Sequence, residues 1–190
     1  MVYRLVKLLS FVVCKFLFRI EIEGRDSFPP KNTPFIFASN HSSYLDPVVL
    51  AVASPYPLGF LAKKELFRNK IFSLLIKSLG AFSVDREAAD IRALKTALKI
   101  LEDKPLVIFP QGGITDSYDK FKSGVGFLYK RTGAPIVVAK IYGSDHILPK
   151  ELNRLRLGKI RVVLGRVSDI NKQQSHEEIA NKVANKIKSL

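Results

Sequence analysis

The residues best suited to chemistry stand in a short polar stretch, Asn40 to Pro47, which follows an apolar run. His41 and Asp46 are five positions apart, which corresponds to about 140° on a regular helix, so they could not face each other within one helix. A loop histidine that folds back onto a helix start can contact that carboxylate. The carboxylate would then fix the imidazole tautomer, and the second ring nitrogen could take a proton from a hydroxyl group. A simpler interpretation stays open, in which Asp46 only caps a helix and His41 is an ordinary loop residue.

A second charged cluster, Asp85-Arg86-Glu87, follows a strand-like run that begins after Gly80. A guanidinium group at a strand end can bind a phosphate in a bidentate way, which makes Arg86 a candidate phosphate ligand. The alternative is an ion pair between Arg86 and one of its two acidic neighbours at the start of a helix.

The third stretch is a glycine-bearing loop that follows an apolar run and includes Gln111, Gly112 and Gly113. Lys122 lies shortly after it, in the sequence Phe-Lys-Ser-Gly before the next helical pattern. Free backbone N–H groups in such a loop suit an oxyanion or a phosphate. The alternative is an ordinary turn, because paired glycines are common in loops.

Taken together, these stretches resemble the motifs of the glycerolipid acyltransferase family. The resemblance covers roughly residues 30–145 and rests on four segments: Asn40-His41-x4-Asp46, Gly80-x-Phe82-x-Val84-Asp85-Arg86, Phe109-Pro110-x-Gly112 and Ala134-Pro135-Ile136-Val137. It implies that His41 is the general base and that Asp46 orients it. It also implies that the second and third motifs bind the phosphate of the acceptor. The expected substrate-binding residues are Asn40, Lys63, Arg86, Gln111, Gly112, Gly113 and Lys122.

The activity that this resemblance implies is transfer of a fatty acyl group from acyl-CoA or acyl carrier protein to a lysophospholipid hydroxyl. The expected acceptor is 1-acylglycerol-3-phosphate, which would give phosphatidic acid for phospholipid biosynthesis, and no cofactor is expected beyond the acyl donor. The third motif departs from the usual Phe-Pro-Glu-Gly-Thr-Arg-Ser, because Gln111 replaces the Glu and Ile114 replaces the Arg. Two alternatives therefore stay open: a less anionic hydroxyl lipid as acceptor, or a lipid-binding protein without activity.

The elements that would hold these motifs follow from short apolar runs that alternate with helical patterns after Gly24. We predict an α/β fold in which a single domain has a central mixed β-sheet flanked by helices. Strands are expected over residues 35–39, 58–62, 81–84, 106–109, 135–141 and 160–164. Helices are expected over residues 47–53, 70–79, 89–102, 125–132 and 175–188, with Gly80 and Gly133 as helix stops.

The first twenty residues are mostly apolar and include four basic residues, Arg4, Lys7, Lys15 and Arg19. On a helix these four fall within an arc of about 120°, and the opposite side is apolar. The uncharged runs are far shorter than the roughly 20 residues that span a bilayer. We therefore predict that residues 1–24 are an amphipathic membrane-binding segment and that residues 25–190 are the acyltransferase domain. Packing of this helix on the domain core is the alternative.

The composition narrows the possible partners. The chain has 190 residues with 31 Lys and Arg against 17 Asp and Glu, a formal net charge of +14, which favours a polyanionic partner. We expect an anionic membrane surface and no nucleic acid, because no nucleic-acid-binding pattern accompanies the basic residues. The predicted location is thus the cytoplasmic face of a membrane, with monotopic association. A serine hydrolase is disfavoured, since neither Ser42 nor Ser43 lies in a Gly-x-Ser-x-Gly elbow.

Overall fold

The described residues, 10, 12, 14–84, 90–115, 121–149 and 155–190, fold around one seven-stranded sheet in this computed structural model. The strands, in chain order, are β1 (Glu21–Glu23), β2 (Ile36–Ser39), β3 (Gly59–Lys63), β4 (Ala81–Val84), β5 (Leu106–Ile108), β6 (Ile136–Tyr142) and β7 (Arg161–Val167). Their order across the sheet is β1-β7-β6-β2-β5-β3-β4. The predicted mixed sheet is confirmed, because β6 and β7 are antiparallel whereas every other neighbouring pair is parallel.

This topology brings several chain segments to one edge of the sheet. Strands β2, β3, β4, β5 and β6 all end there, and β1 and β7, which run the other way, begin there. We call it the carboxyl edge. In open α/β sheets, ligands bind at the carboxyl ends of the parallel strands, so the loops of this edge are where a site is expected.

Helices connect and cover the strands. They are α1 (Asp46–Ala53), α2 (Lys70–Ser78), α3 (Asp90–Asp103), α4 (Gly124–Thr132), the one-turn α5 (Ser144–Ile147) and α6 (His176–Ser189), with short 3-10 turns at Arg25–Ser27 and Lys64–Phe67. The five predicted helices agree with α1, α2, α3, α4 and α6 to within a residue at each end. Gly133 ends α4 with a left-handed φ of 70°, and its N–H donates to the Tyr129 carbonyl at 2.7 Å, as a helix stop requires.

The core lies on both faces of the sheet, because alternate residues of β2 point to opposite sides. Phe37 packs with α1 residues such as Leu50, on the face that also holds the aromatic rings of Phe28 and Phe35. Ile36 packs on the other face, with apolar residues of α3, α4 and α6. Full burial of β2 explains why its sequence is apolar up to its last residue, Ser39.

The predicted membrane-binding segment contributes its last residues to the domain. Residues 14–17 are helical, Cys14 and Phe18 are buried in the core, and β1 pairs with β7. Burial raises the pKa of the Cys14 thiol to about 11. Residues 1–9, 11 and 13 lie outside the described residues, so the amphipathic membrane helix stays a prediction. In the described ranges, no helix has both the length and the hydropathy needed to cross a bilayer.

Candidate active site

His41 and Asp46 meet at the carboxyl edge, in the connection between β2 and α1. His41 Nδ1 lies 2.9 Å from Asp46 Oδ2. The same oxygen accepts hydrogen bonds from the backbone N–H groups of Ser42 at 2.8 Å and Ser43 at 2.9 Å. The sequence interpretation of Asp46 as a helix cap is wrong, because the cap position is Leu45 and the carboxylate turns back to the preceding loop. That loop thus wraps the carboxylate that orients its own histidine.

The second oxygen of the Asp46 carboxylate is held by a residue that the sequence did not point to. Ser144 Oγ donates a hydrogen bond to Asp46 Oδ1 at 2.6 Å. Ser144 begins α5, directly after β6, and β6 is the neighbour of β2. Gly143 positions it with a left-handed φ of 83°, and a Cβ there would lie 2.3 Å from the Lys159 carbonyl oxygen. Ser144 therefore holds the Asp46 carboxylate from a distant part of the chain.

The two side chains of this pair differ in exposure: the carboxylate is buried and fixed, and the imidazole is more accessible. Asp46 has no exposed side-chain surface, whereas 13% of the His41 side chain is exposed. Four hydrogen bonds to the two carboxylate oxygens compensate the burial of the charge. The imidazole stacks on the Phe109 ring, with 4.0 Å between centroids and 18° between planes. The ring orientation is thus fixed on one side by a hydrogen bond and on one face by an aromatic contact.

Asn40, a predicted substrate-binding residue, is engaged with the backbone of β6. Its Nδ2 donates to the Ile141 carbonyl at 2.9 Å, and its Oδ1 accepts from the Ile141 N–H at 2.7 Å. The residue is only 3% exposed. Its amide therefore continues the pairing of β2 with β6 by one residue and anchors the start of the His41 loop.

Gln111 joins the glycine loop, which carries the third motif, to the His41 loop. Gln111 Oε1 accepts from the His41 N–H at 2.7 Å, and Nε2 donates to the Thr115 carbonyl at 3.3 Å. The Thr115 N–H in turn donates to the His41 carbonyl at 2.9 Å. Both ends of the amide are used, one as an acceptor and one as a donor. A carboxylate in this position could accept from His41 but could not donate to Thr115.

Two predicted binding residues of this loop, Gly112 and Gly113, differ in their surroundings. Gly112 has a φ of 79°, and a Cβ added to it would lie 2.7 Å from Cε and 3.3 Å from Nζ of Lys122. The Lys122 ammonium group therefore lies close to the glycine loop. Within the part of the chain that the structure describes, a Cβ added to Gly113 would meet no atom within 4 Å, so the side of the residue on which a Cβ would lie is open. The loop thus combines a positive charge with an accessible stretch of backbone.

The remaining two predicted residues follow β3 and β4. Lys63 is exposed at the end of β3 and is in register with Val84, the last residue of β4. Arg86 lies outside the described residues. The carboxyl edge thus places Lys63 beside the point at which the chain leaves β4 toward Arg86.

As a whole, the described site offers an oriented imidazole, a buried carboxylate, a glycine loop and lysine side chains. Such a set can deprotonate a hydroxyl group next to a bound anion. Among the described residues, no three or more His, Cys, Asp or Glu side chains are grouped so as to hold a metal ion. The proton-transfer roles and the binding roles of these residues stay predictions.

Comparison with known proteins identifies the family. The family model described as acyltransferase matches residues 19–141, well over half of the chain. The chain is 35% identical over 138 residues to the 1-acyl-sn-glycerol-3-phosphate acyltransferase of Bacillus subtilis, covering 72% of this chain and 67% of that protein. It is 30% identical over 175 residues to the enzyme of that name from Streptococcus pneumoniae, covering 87% of this chain and 63% of that protein.

The fold is also that of a solved structure. The crystal structure of the 1-acyl-sn-glycerophosphate acyltransferase PlsC from Thermotoga maritima superimposes with a TM-score of 0.77 at 20% identity, covering 99% of this chain and 79% of that one. The chain spans about two thirds of the length of the bacterial relatives. The match to the family model includes β1, the His41 loop and the glycine loop. This chain therefore belongs to the acyltransferase family.

Proposed function

We propose that this protein transfers a fatty acyl chain from acyl-CoA or acyl carrier protein to the hydroxyl group of 1-acylglycerol-3-phosphate, which gives phosphatidic acid. The observation that carries the proposal is the 2.9 Å contact between His41 Nδ1 and the buried Asp46 carboxylate. The names of the bacterial relatives support this choice of acceptor and product.

In the proposed reaction, His41 acts through the ring nitrogen that does not face Asp46. Nε2 takes the proton of the acceptor hydroxyl as its oxygen attacks the thioester carbonyl. The resulting imidazolium is stabilised by Asp46, whose charge is held in place by backbone N–H groups and by Ser144. The tetrahedral intermediate then collapses, the C–S bond breaks, and the thiolate leaves with the proton from His41. No covalent acyl-enzyme is required.

The accessible glycine loop is the proposed site for the charge that develops on the thioester oxygen. Among the described residues, the backbone N–H of Gly113 has no hydrogen-bond partner, and the space around this glycine is open. Such a donor, fixed before the reaction begins, stabilises an oxyanion without reorganisation. By contrast, the Gly112 N–H already donates to the Phe109 carbonyl at 2.9 Å.

The phosphate of the acceptor is assigned to the lysines of the carboxyl edge together with Arg86. Lys122 contributes because its ammonium group lies over Gly112. Lys63 contributes from the end of β3. The replacement of the usual motif arginine by Ile114 removes one cation from the loop, so we expect Lys122 to carry more of the phosphate binding than it would in a chain with that arginine.

The test is an acylation assay with labelled acyl-CoA or acyl carrier protein and a panel of acceptors that includes lysophosphatidate and monoacylglycerol. We expect activity on lysophosphatidate and a loss of about 10²- to 10⁴-fold in His41→Ala, the usual contribution of a general base. The acceptor assignment would be wrong if the wild type acylated only the uncharged lipid. The catalytic assignment would be wrong if folded His41→Ala protein kept its activity.

Phosphate binding is tested separately with Lys122→Ala, with the exposed α3 residue Lys99 replaced by alanine as the matched control. We expect Lys122→Ala to raise KM for lysophosphatidate about 10-fold or more while KM for the acyl donor stays near the wild-type value, because a charge-assisted hydrogen bond contributes about 1.5–3 kcal/mol. Equal changes in both constants would contradict the assignment.

A further inference from the structure

The hydroxyl group of Ser42, the residue after His41, has a defined hydrogen-bond direction. Its Oγ atom lies 3.4 Å from Ser144 Oγ, and Ser144 Oγ lies 2.6 Å from Asp46 Oδ1. A serine hydroxyl has a single hydrogen to donate, and an ionised carboxylate can only accept. Since the Ser144 hydrogen is donated to Asp46, the hydrogen between the two serines comes from Ser42.

The oxygen of Ser42 is therefore left as a hydrogen-bond acceptor. Its one hydrogen is used, and within the described ranges no donor contacts this oxygen. The neighbouring Ser43 differs, because its hydroxyl donates to the Leu148 carbonyl at 2.8 Å and accepts from the Leu45 N–H at 3.1 Å. Ser43 is buried, whereas Ser42 is only partly buried. Ser42 thus presents an acceptor oxygen that a ligand can reach.

The buried carboxylate makes this oxygen a better acceptor. The hydrogen bonds run in one direction, from Ser42 to Ser144 and from Ser144 to the charge of Asp46. Hydrogen bonds in such a chain polarise one another, so a hydroxyl that donates toward a carboxylate carries more negative charge on its own oxygen. A ligand N–H or O–H group should therefore bind here more strongly than at an isolated serine.

Ser42 faces the side of the His41 loop that lies away from the glycine loop. Strand β2, which leads into the His41 loop, has β5 on one side and β6 on the other. The glycine loop follows β5, whereas Ser144, the partner of Ser42, follows β6. In the proposed function the acceptor phosphate binds at the glycine loop and Lys122. The acceptor phosphate and the Ser42 oxygen are thus on different sides of the His41 loop.

Of the two proposed substrates, only the acyl donor has hydrogen-bond donors that the reaction does not use. Fully ionised 1-acylglycerol-3-phosphate has one hydroxyl group, which gives its hydrogen to His41, and its ester and phosphate oxygens are acceptors. Acyl-CoA and acyl carrier protein both carry the acyl chain on a phosphopantetheine arm that contains amide N–H groups. Two methylene groups separate the nearest amide nitrogen from the thioester sulfur, so that amide lies close to the reacting carbonyl.

We propose that Ser42 binds the acyl donor by accepting a hydrogen bond from the amide N–H group of the phosphopantetheine arm that is nearest to the thioester. The inference rests on the proposed function, because that function assigns the acceptor phosphate to the glycine loop. Ser42 then recognises the donor whether its arm is attached to coenzyme A or to acyl carrier protein. The acceptor approaches His41 from the glycine loop, and the donor arm approaches it from α5.

The experiment compares Ser42→Ala with the wild type on two synthetic donors that carry the same acyl chain. One is the thioester of N-acetylcysteamine, which keeps the nearest amide, and the other is the thioester of pentanethiol, which has none. Alanine keeps the backbone N–H that donates to Asp46. We expect the substitution to lower kcat/KM about 3- to 10-fold more for the amide donor than for the amide-free donor, the size of one net hydrogen bond. KM for lysophosphatidate should stay at the wild-type value.

The matched controls are Ser144→Ala and Lys122→Ala. Ser144→Ala alters the hold on Asp46, so it should slow the reaction of both donors by the same factor. Lys122→Ala should raise KM for lysophosphatidate and also affect both donors alike. Equal losses for the two donors in Ser42→Ala would overturn the proposal, because Ser42 would then act only through Ser144 and Asp46. No loss with either donor would overturn it as well, since water would then serve the amide equally well.

Binding of the arm without reaction separates this inference from the proposed function. S-methylpantetheine carries the amides and no acyl chain, and its Kd is measured by NMR titration of the His41 ring signals. We expect Ser42→Ala to raise this Kd about 3- to 10-fold and Ser144→Ala to leave it near the wild-type value. This measurement also decides the question where the pentanethiol donor reacts too slowly to be followed.

The two hypotheses fail in different ways. Binding of S-methylpantetheine that depends on Ser42, in a wild type that transfers no acyl group to any acceptor, would refute the proposed function and leave the arm site standing. Acyl transfer by the wild type, together with a Kd that does not depend on Ser42 or with no binding of the arm, would refute the arm site alone.

Discussion

The molecule contains two pairs of similar geometry in very different surroundings. At the carboxyl edge, Asp46 Oδ2 lies 2.9 Å from His41 Nδ1, and the aspartate side chain has no exposed surface. At the outer edge of the sheet, Glu23 of β1 accepts from Arg161 of β7 at 2.7 and 3.0 Å, and both side chains are about half exposed. The distances alone would make the outer pair the stronger one.

Burial and the number of hydrogen-bond donors instead make the His41–Asp46 pair the stronger of the two. Water can replace the partner of Glu23, so the outer pair contributes little to stability. Asp46 has no access to water, and each of its oxygens depends on fixed donors from the His41 loop and from Ser144. A charge held in this way is already oriented before a substrate binds, which is what stabilises a developing imidazolium. The contacts of a carboxylate therefore indicate its role only when its burial is considered with them.

The largest loss of activity is expected when the buried His41–Asp46 pair is altered. Asp46→Asn keeps the size of the side chain, and Ser144 can accept from the new amide where it previously donated. The fold should therefore survive while the negative charge next to His41 is lost. We expect kcat to fall about 10²- to 10⁴-fold, measured with labelled acyl-CoA and lysophosphatidate. Asp145→Asn, at an aspartate of α5 whose side chain is 39% exposed, is the control and should behave as the wild type.

A smaller effect is expected when only one donor to the buried carboxylate is removed. Ser144→Ala leaves the three hydrogen bonds to Asp46 Oδ2 in place and frees Oδ1. We expect kcat to fall about tenfold with KM unchanged, which corresponds to about 1.4 kcal/mol and thus to one net hydrogen bond. Ser168→Ala, on an exposed loop, serves as the control. An unchanged kcat would show that Asp46 is oriented well enough by its own loop.

A third prediction concerns Gln111→Glu, which places a carboxylate where only one of its oxygens has a hydrogen-bond donor. In Gln111→Glu, one oxygen can still accept from the His41 N–H, but the other would face the Thr115 carbonyl, to which the amide now donates. We expect the free energy of unfolding in urea to fall by about 1 kcal/mol, with the ranking of acceptors unchanged. If stability stayed constant and the acceptor ranking changed, Gln111 would be a headgroup-reading residue rather than a link between two loops.

The smallest effect, a slight change in stability, is expected when the exposed Glu23–Arg161 pair is altered. Hydrogen bonding from Arg161 lowers the pKa of Glu23 below its ordinary value of 4.5. A lowered carboxyl pKa contributes stability above the ordinary value, and this contribution is lost as the pH falls through the folded-state pKa. Glu23→Gln should therefore lower the melting temperature slightly at pH 7 and not at all at low pH. A large change at pH 7 would mean that β1 depends on this pair.

The sequence predicted the parts of the fold in which one local pattern dominates. The buried strand β2 is apolar up to its last residue, Ser39, and α4 ends at a glycine that adopts a positive φ. The short strand β1 escaped prediction because Glu21 and Glu23 are exposed and only Ile22 between them is partly buried. Such a three-residue edge strand depends on its partner β7 rather than on its own composition.

The candidate site was also predicted only where its residues lie close together in the chain. His41 and Asp46 lie close together in the chain, so their spacing and the resemblance pointed to both. Ser144 is 98 positions from Asp46, and only the pairing of β2 with β6 brings it close. The alternative that Asp46 only caps a helix stayed open because its sequence position suits a cap, whereas the direction of its carboxylate is decided by the Ser42 and Ser43 N–H groups. The order of strands in a sheet cannot be obtained from local patterns.

The hydrogen bond between Asn40 and Ile141 makes one backbone amide a reporter of motion at the candidate active site. The Ile141 amide hydrogen is bound by the Asn40 Oδ1 atom rather than by a carbonyl of the sheet. Its rate of exchange with deuterium therefore measures how often the residue next to His41 turns away from β6, and not how often the strands separate. Comparison of that rate with the rate of a neighbouring β6 amide would follow opening of the His41 loop in the resting protein, with no substrate present.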